Sequence, residues 1–276
     1  MKPVVSFTGA ALIALLSAFS AAAAPPEGMV YIPAGEFIMG HDGKNLDASL
    51  GVEPADEMPQ RKVFLKSFYI DRYEVTNKNY KDYLDGLKEQ GIKAFSHYED
   101  DGVPVPDRWS LETYPPDEGD NPVVDVDWYM AGKYCDSFGK RLPTEEEWEK
   151  AARGTDARTF PWGDKHKPGY ANNRDYWESR KAEMDSWRVL PVGSFPKDVS
   201  PYGVHDMGGN AFEWTSSLYR PYPGSTLARD IFGMEIYVLR GGALNAFSHE
   251  YGRTTSLYSR MPTDARSAHA EWHTDM

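Results

Sequence analysis

Apolar positions along this chain come in short bursts separated by turn residues, and their spacing changes from segment to segment. Met29-Val-Tyr-Ile-Pro-Ala-Gly-Glu-Phe-Ile-Met-Gly40 predicts two short strands broken at Pro33-Ala-Gly35. A polar loop rich in Gly and Asp follows over residues 41–60. Residues 61–75 alternate well enough to be strand, and Thr76 then stands where an N-cap belongs. The helix it opens carries Tyr80, Tyr83, Leu84 and Leu87 at helical spacing and ends near Gly91. Residues 97–120 are acidic, Pro-rich and unperiodic, which predicts a surface loop. Asp127 caps a second predicted helix, with Trp128, Ala131, Cys135 and Phe138 on one face and Gly139 as its end. In Arg141-Leu-Pro-Thr144-Glu-Glu-Glu147-Trp-Glu-Lys-Ala-Ala-Arg153-Gly154, Thr144 and Glu147 form a capping box. The acids there favour the helix N-terminus and Gly154 stops the helix. From residue 160 to 242 periodicity fades into short strands between Gly, Pro and Asn turns.

The first residues follow a different pattern. Lys2 precedes an uncharged stretch, residues 4–24, that is rich in Ala and Leu and ends in Ala22-Ala23-Ala24 before Pro25. That is the layout of a secretory signal peptide. A membrane anchor is the competing reading, since such a stretch is long enough to span a bilayer. The small-residue ending favours cleavage, with residues 1–24 as signal peptide and one domain over 27–276. The expected location is therefore periplasmic or secreted, with no membrane span after cleavage.

Composition narrows the function classes. A net charge of −12 leaves no source of the counterion-release energy that nucleic-acid binding needs, and none of the clustered cation that anionic lipid attracts. Aromatic residues at 13%, with 24 Gly and 20 Pro, argue for a large core wrapped in irregular chain rather than a helical bundle. The single thiol, Cys135, excludes any intrachain disulfide or Cys-pair metal site and reads as buried and inert. No zincin, EF-hand, phosphate-binding loop or nucleophile elbow occurs.

Several stretches taken together resemble the formylglycine-generating enzyme (sulfatase-modifying factor) family. Beside residues 29–40, they are Asp71-Arg-Tyr-Glu-Val-Thr-Asn77, Asn121-Pro-Val-Val-Asp-Val-Asp-Trp128, Gly139-Lys-Arg-Leu-Pro-Thr-Glu-Glu-Glu-Trp148, Ala151-Ala-Arg-Gly154 and Phe160-Pro-Trp-Gly163. Pro191-Val-Gly-Ser-Phe195, Tyr202-Gly-Val-His-Asp-Met-Gly-Gly-Asn-Ala-Phe-Glu-Trp214 and Leu239-Arg-Gly-Gly242 complete the set, in family order. The resemblance implies a mixed α/β, C-type-lectin-like single domain with little regular structure, supported in many members by calcium. One implied calcium site uses the Asp206 and Glu213 side chains with the carbonyls of Gly209 and Ala211. A second uses Asn172, the carbonyl of Asn173, Asp185 and the carbonyl of Trp187. Hard cations take such oxygens, and a Gly-rich turn lets carbonyls converge. Turn capping is the competing role for Asp206 and Glu213.

The chain departs from the family where the chemistry lies. Sulfatase-activating members bind copper through two cysteines, which suit Cu(I). The matching positions here fall at about Ala246 and Tyr251, and residues 241–276 contain no Cys, so a copper oxidase mechanism is excluded and a redox metal is not expected. The family's final Gly-Phe-Arg strand, whose Cys in many relatives pairs with the counterpart of Cys135, is not reached by Met276, so a longer natural chain is expected. His269-Ala-Glu271-Trp-His273, with His249 and Glu250, places imidazoles and carboxylates that suit iron, copper or zinc, against the simpler reading of a polar tail. Arg240, Arg253, Arg260 and Tyr258 read either as a peptide groove or, preferably in so acidic a chain, as surface ion pairs. Two functions follow. One is a calcium-supported binding or accessory protein of the cell envelope, holding a peptide, glycan or partner protein. The other is a non-copper oxidoreductase acting on a peptide or peptide-derived substrate, as in the pyoverdine-maturation branch.

Overall fold

The computed structural model describes residues 24–43, 57–92, 94–95, 103–104, 106, 109–110, 113–230, 232, 234–242 and 261–264. Strands β1 (Met29–Ile32) and β2 (Gly35–Met39) form on either side of the predicted break. The alternating stretch that follows divides into β3 (Arg61–Leu65) and β4 (Phe68–Asp71). The two pairs cross over: β1 lies antiparallel to β4, with Val30 opposite Ile70, and β2 antiparallel to β3, with Phe37 opposite Val63. Val30 and Ile32 turn one face of β1 inward, while Tyr31 and Tyr69 meet on the outer face as a tilted ring pair with centroids 5.4 Å apart.

Helix α1 (Asn77–Glu89) starts on the predicted cap, with the Thr76 hydroxyl accepting from Asn79 N and the Asn79 side chain accepting from Thr76 N. Between it and α2 (Trp128–Ser137), two-residue strands β5 (Ala94–Phe95) and β6 (Val103–Pro104) pair in parallel inside part of the predicted loop. Asp127 caps α2 through Met130 N at 2.7 Å. The inward face of α2 is Met130 and Tyr134, not the predicted one: Trp128, Ala131 and Cys135 are half-buried on a second cluster and Phe138 stays 52% exposed. Tyr80, Tyr83, Trp109 and Tyr134 fill the α1–α2 interface with mostly edge-on ring contacts.

Helix α3 (Glu145–Arg153) has both halves of its capping box and ends on Gly154, whose φ of 74° explains the glycine. Trp148, Ala151 and Ala152 pack it against β1 and Met207. The weakly patterned region holds a short helix α4 (Arg174–Ser179), which the sequence reading missed, and strands β7 (Glu213–Leu218) and β8 (Ile236–Arg240). With β9 (Met261–Asp264) they form an antiparallel sheet in the order β7-β8-β9. No helix among the described residues is long and apolar enough to cross a membrane.

Candidate functional site

An apolar cavity of about 460 Å³ opens between β4 and the start of β7. Residues 139–143 line it as well, as do Ala131, Tyr134 and Cys135 of α2. Burial and the neighbouring Asp71 push the Cys135 thiol up to about 11, so it stays protonated at neutral pH. Glu74 and Glu213 face one end of the cavity; Lys140, paired with Asp71 at 2.7 Å, and Arg141, paired with Glu147 at 2.7 Å, stand at another part of its wall.

The acidic end is built by the turn from Asp206 to Glu213. Asp206 and Asn210 hold left-handed conformations, with φ of 58° and 72°. Gly208 presses on Asp198: its N–H donates to both carboxylate oxygens at 3.0 Å, and a Cβ there would meet Trp162 at 2.9 Å. A Cβ on Gly209 would come within 2.7 Å of the Asn172 carbonyl, so the turn can pack on that segment only as glycine. Glu74, at the end of the β4 segment, braces the turn by accepting from Ala211 N at 3.0 Å and from the Asn210 amide at 2.8 Å. Asp206 accepts from Gly193 N, and Glu213 accepts from the Trp148 indole at 3.0 Å.

Four carboxyls thus share a small volume, and among the described residues no Lys or Arg forms a salt bridge with them. Burial first, then the charges of Asp206 and Glu213, hold Glu74 and Asp198 well above the usual carboxylate range. Burial pushes Asp206 up to about 6 and, with the Asp206 charge, pushes Glu213 up to about 7. This is the electrostatic deficit that a hard cation relieves, and the donors are all oxygen. Among the described residues no three His, Cys, Asp or Glu side chains converge on one point. A cation here would therefore rest on the Asp206 and Glu213 side chains together with the carbonyls of Gly209 and Ala211. Asp206, Gly209, Ala211 and Glu213 lie on this one turn, and Glu74 and Asp198, which the sequence reading did not name, hydrogen-bond to it.

Of the other predicted oxygens, those of Asn172 and Asn173 already serve the fold. Asn172 accepts from the Trp177 indole at 2.8 Å and donates to Arg188 O and Asn210 Oδ1. Asn173 caps α4, its side chain accepting from Tyr176 N and its carbonyl from Tyr176 N and Trp177 N. Trp187 closes a single 3₁₀ turn, and the side chain of Asp185 lies outside the described residues. His249, Glu250, Arg253, Tyr258, Arg260, His269, Glu271 and His273 lie outside them as well.

Arg240 corrects an expectation. It is fully buried rather than on a groove or the surface, and its guanidinium meets Glu149 directly, with Glu57 and Glu145 each at 3.6 Å. Glu149 also holds Arg153 at 2.7 Å and accepts from Gly40 N. This ionic knot ties β8, α3 and the end of β2 together just before Gly241 and Gly242. The sequence signal for it was charge on an apolar stripe: Glu145, Glu149 and Arg153 share the α3 face of Trp148 and Ala152.

The model of the sulfatase-modifying factor enzyme 1-like domain matches residues 16–274. The chain belongs to that family. Among family relatives, a mouse protein named inactive C-alpha-formylglycine-generating enzyme 2 is 34% identical over 273 residues, covering 86% of this chain and 82% of that one. Hercynine oxygenase of Mycolicibacterium smegmatis is 33% identical over 216 residues, which span 71% of this chain but only 47% of that longer protein. Among solved structures, PvdO from Pseudomonas aeruginosa superposes with a TM-score of 0.58 at 27% identity, covering 86% of this chain and 88% of PvdO. The mixed α/β architecture with small sheets is thus the formylglycine-generating-enzyme fold.

Proposed function

We propose that this family member is an exported binding protein, supported by calcium on the 206–213 turn, and that the cavity beside that turn receives its ligand. The observation that carries the reading is the junction of the two: an apolar cavity walled in part by Glu74 and Glu213, carboxyls that burial and the neighbouring Asp206 charge make costly to ionise. Calcium would draw the Asp206 and Glu213 carboxylates and the Gly209 and Ala211 carbonyls into one shell, and so fix the cavity wall at residues 211–214. A second ion at Asn172, Asn173, Asp185 and Trp187 would require the Asn172 oxygen to share itself with the Trp177 indole. The ligand classes that suit such a site are a peptide, a glycan or an envelope protein. The mouse relative, named as an inactive formylglycine-generating enzyme, supports a non-catalytic role.

The likeness to hercynine oxygenase supports a second reading, a non-copper oxidoreductase. Elemental analysis of protein purified from the periplasm decides between them. One calcium per chain, or two if the second shell forms, with no redox metal is the expected result; stoichiometric iron or copper would overturn the binding-protein reading. The same preparation tests export, because the mature N-terminus should begin at Pro25.

A further inference from the structure

Strand register sets up an ion pair that the side chains do not make. Glu213 opens β7 directly across from Arg240, the last residue of β8. Residues opposed in this way send their side chains to the same face of the sheet, where a carboxylate and a guanidinium attract each other. Here Arg240 turns to α3 instead, where Glu149 meets it directly and Glu145 lies at 3.6 Å. Among the described residues, Glu213 is left with a neutral donor, the indole N–H of Trp148 at 3.0 Å. Its carboxylate is thereby kept for a cation from outside the chain.

Trp148 touches both halves of this arrangement. It is fully buried in the middle of α3. Its indole N–H holds Glu213, and the Arg240 guanidinium stands 5.5 Å from the centre of an indole ring, a distance at which a cation is drawn to the ring face. The same side chain closes on Gly241, whose φ of 89° admits a side chain only under strain. A Cβ there would sit 3.4 Å from Trp148 Cζ2 and 3.6 Å from the Ala211 carbonyl oxygen. Two members of the proposed calcium shell thus bear on the end of β8, the Glu213 carboxylate through Trp148 and the Ala211 carbonyl against Gly241.

Resting on the calcium reading, we propose that Trp148 is a positioning residue that couples cation binding on the 206–213 turn to the end of β8, residues 240–242. Drawing Glu213 onto an ion carries the indole N–H with it. The ring can shift only together with Arg240 and Gly241, since all three are buried against one another. Filled, the site holds the strand end in one place; empty, it leaves residues 240–242 freer to open locally. Such coupling is reciprocal, so a partner that orders residues 240–242 raises calcium affinity by the same factor.

The test is amide hydrogen exchange on the full chain, with chelator and with saturating calcium, beside calorimetric titration of the ion. In the unaltered protein calcium should slow exchange at residues 240–242 about tenfold, inside the usual range for coupled sites. Trp148→Phe keeps a ring in the core and removes the N–H. This variant should still bind calcium, and the slowing at 240–242 should shrink below about threefold. A purely structural role would speed exchange with and without the ion and leave their ratio unchanged, which would overturn the proposal. Should the variant not fold, nuclear magnetic resonance on the unaltered protein decides. The indole N–H, recognised through the Overhauser contact of its ring with Gly241, should shift along the same calcium titration as the amides of 240–242. An unmoved indole, or unmoved amides in a protein that binds calcium, overturns the coupling and leaves the calcium reading standing. Absence of calorimetric binding fails the calcium reading itself, and the coupling with it.

Discussion

Glu149 shows how much rests on single side chains in this molecule. It is completely buried, yet it holds Arg153, Arg240 and Gly40 N together. A buried ion pair adds little over an apolar pair of the same shape, but losing one partner strands the other. Glu149→Ala should therefore destabilise the fold by about 3–5 kcal/mol, read as a lower midpoint in urea unfolding. Arg240→Met with Glu149→Leu should recover much of that loss, and a double variant no more stable than Glu149→Ala would refute the account. Gly209→Ala acts by sterics alone: the added methyl meets the Asn172 carbonyl at 2.7 Å. The expected cost is about 1–3 kcal/mol, with calcium affinity falling at the same time because the turn must shift. Unchanged calcium binding in a destabilised Gly209→Ala protein would separate the turn from the ion.

At the scale of elements, legibility followed local chemistry. The α1 and α3 starts could be read from sequence because Thr76 with Asn79 and Thr144 with Glu147 close their hydrogen bonds within four residues. Thr144→Ala should accordingly cost about 1 kcal/mol, seen as a small drop in melting temperature with the fold intact. Helix α4 escaped notice because it has only six residues and one buried side chain, Trp177, so no periodicity can accumulate. The misread face of α2 has a different cause: Met130 and Tyr134 are claimed by α1 and Trp109, a contact made across residues 80–134. At the candidate site, Asp206, Gly209, Ala211 and Glu213 could be grouped from sequence because they sit in one turn. Glu74 and Asp198 reach the same place from elsewhere in the chain, Asp198 through a hydrogen bond from Gly208 and Glu74 through one from Ala211. Only the folded chain brings them together.

For the whole molecule, the acid cluster sets a pH dependence. Asp206 and Glu213 have folded values of about 6 and about 7 against ordinary values of 3.8 and 4.5. Between the ordinary and the raised values the folded state therefore binds more protons than the unfolded one. By linkage, stability of the calcium-free protein falls as pH rises from about 4 to about 7 and then levels off. Calcium replaces the protons, so its stabilisation should be small at pH 4.5 and large at pH 7.5. Thermal melts across that range with chelator and with millimolar calcium check this; parallel curves with and without the ion would mean that it does not bind among these groups.

The lone thiol has a last consequence, in redox terms. Disulfide exchange proceeds through the thiolate, and Cys135, half-buried with a value near 11, offers almost none of it at neutral pH. In an oxidising medium the 276-residue chain should stay free of mixed disulfides and of covalent dimers. Intact mass after days with oxidised glutathione should equal the mass of the reduced chain.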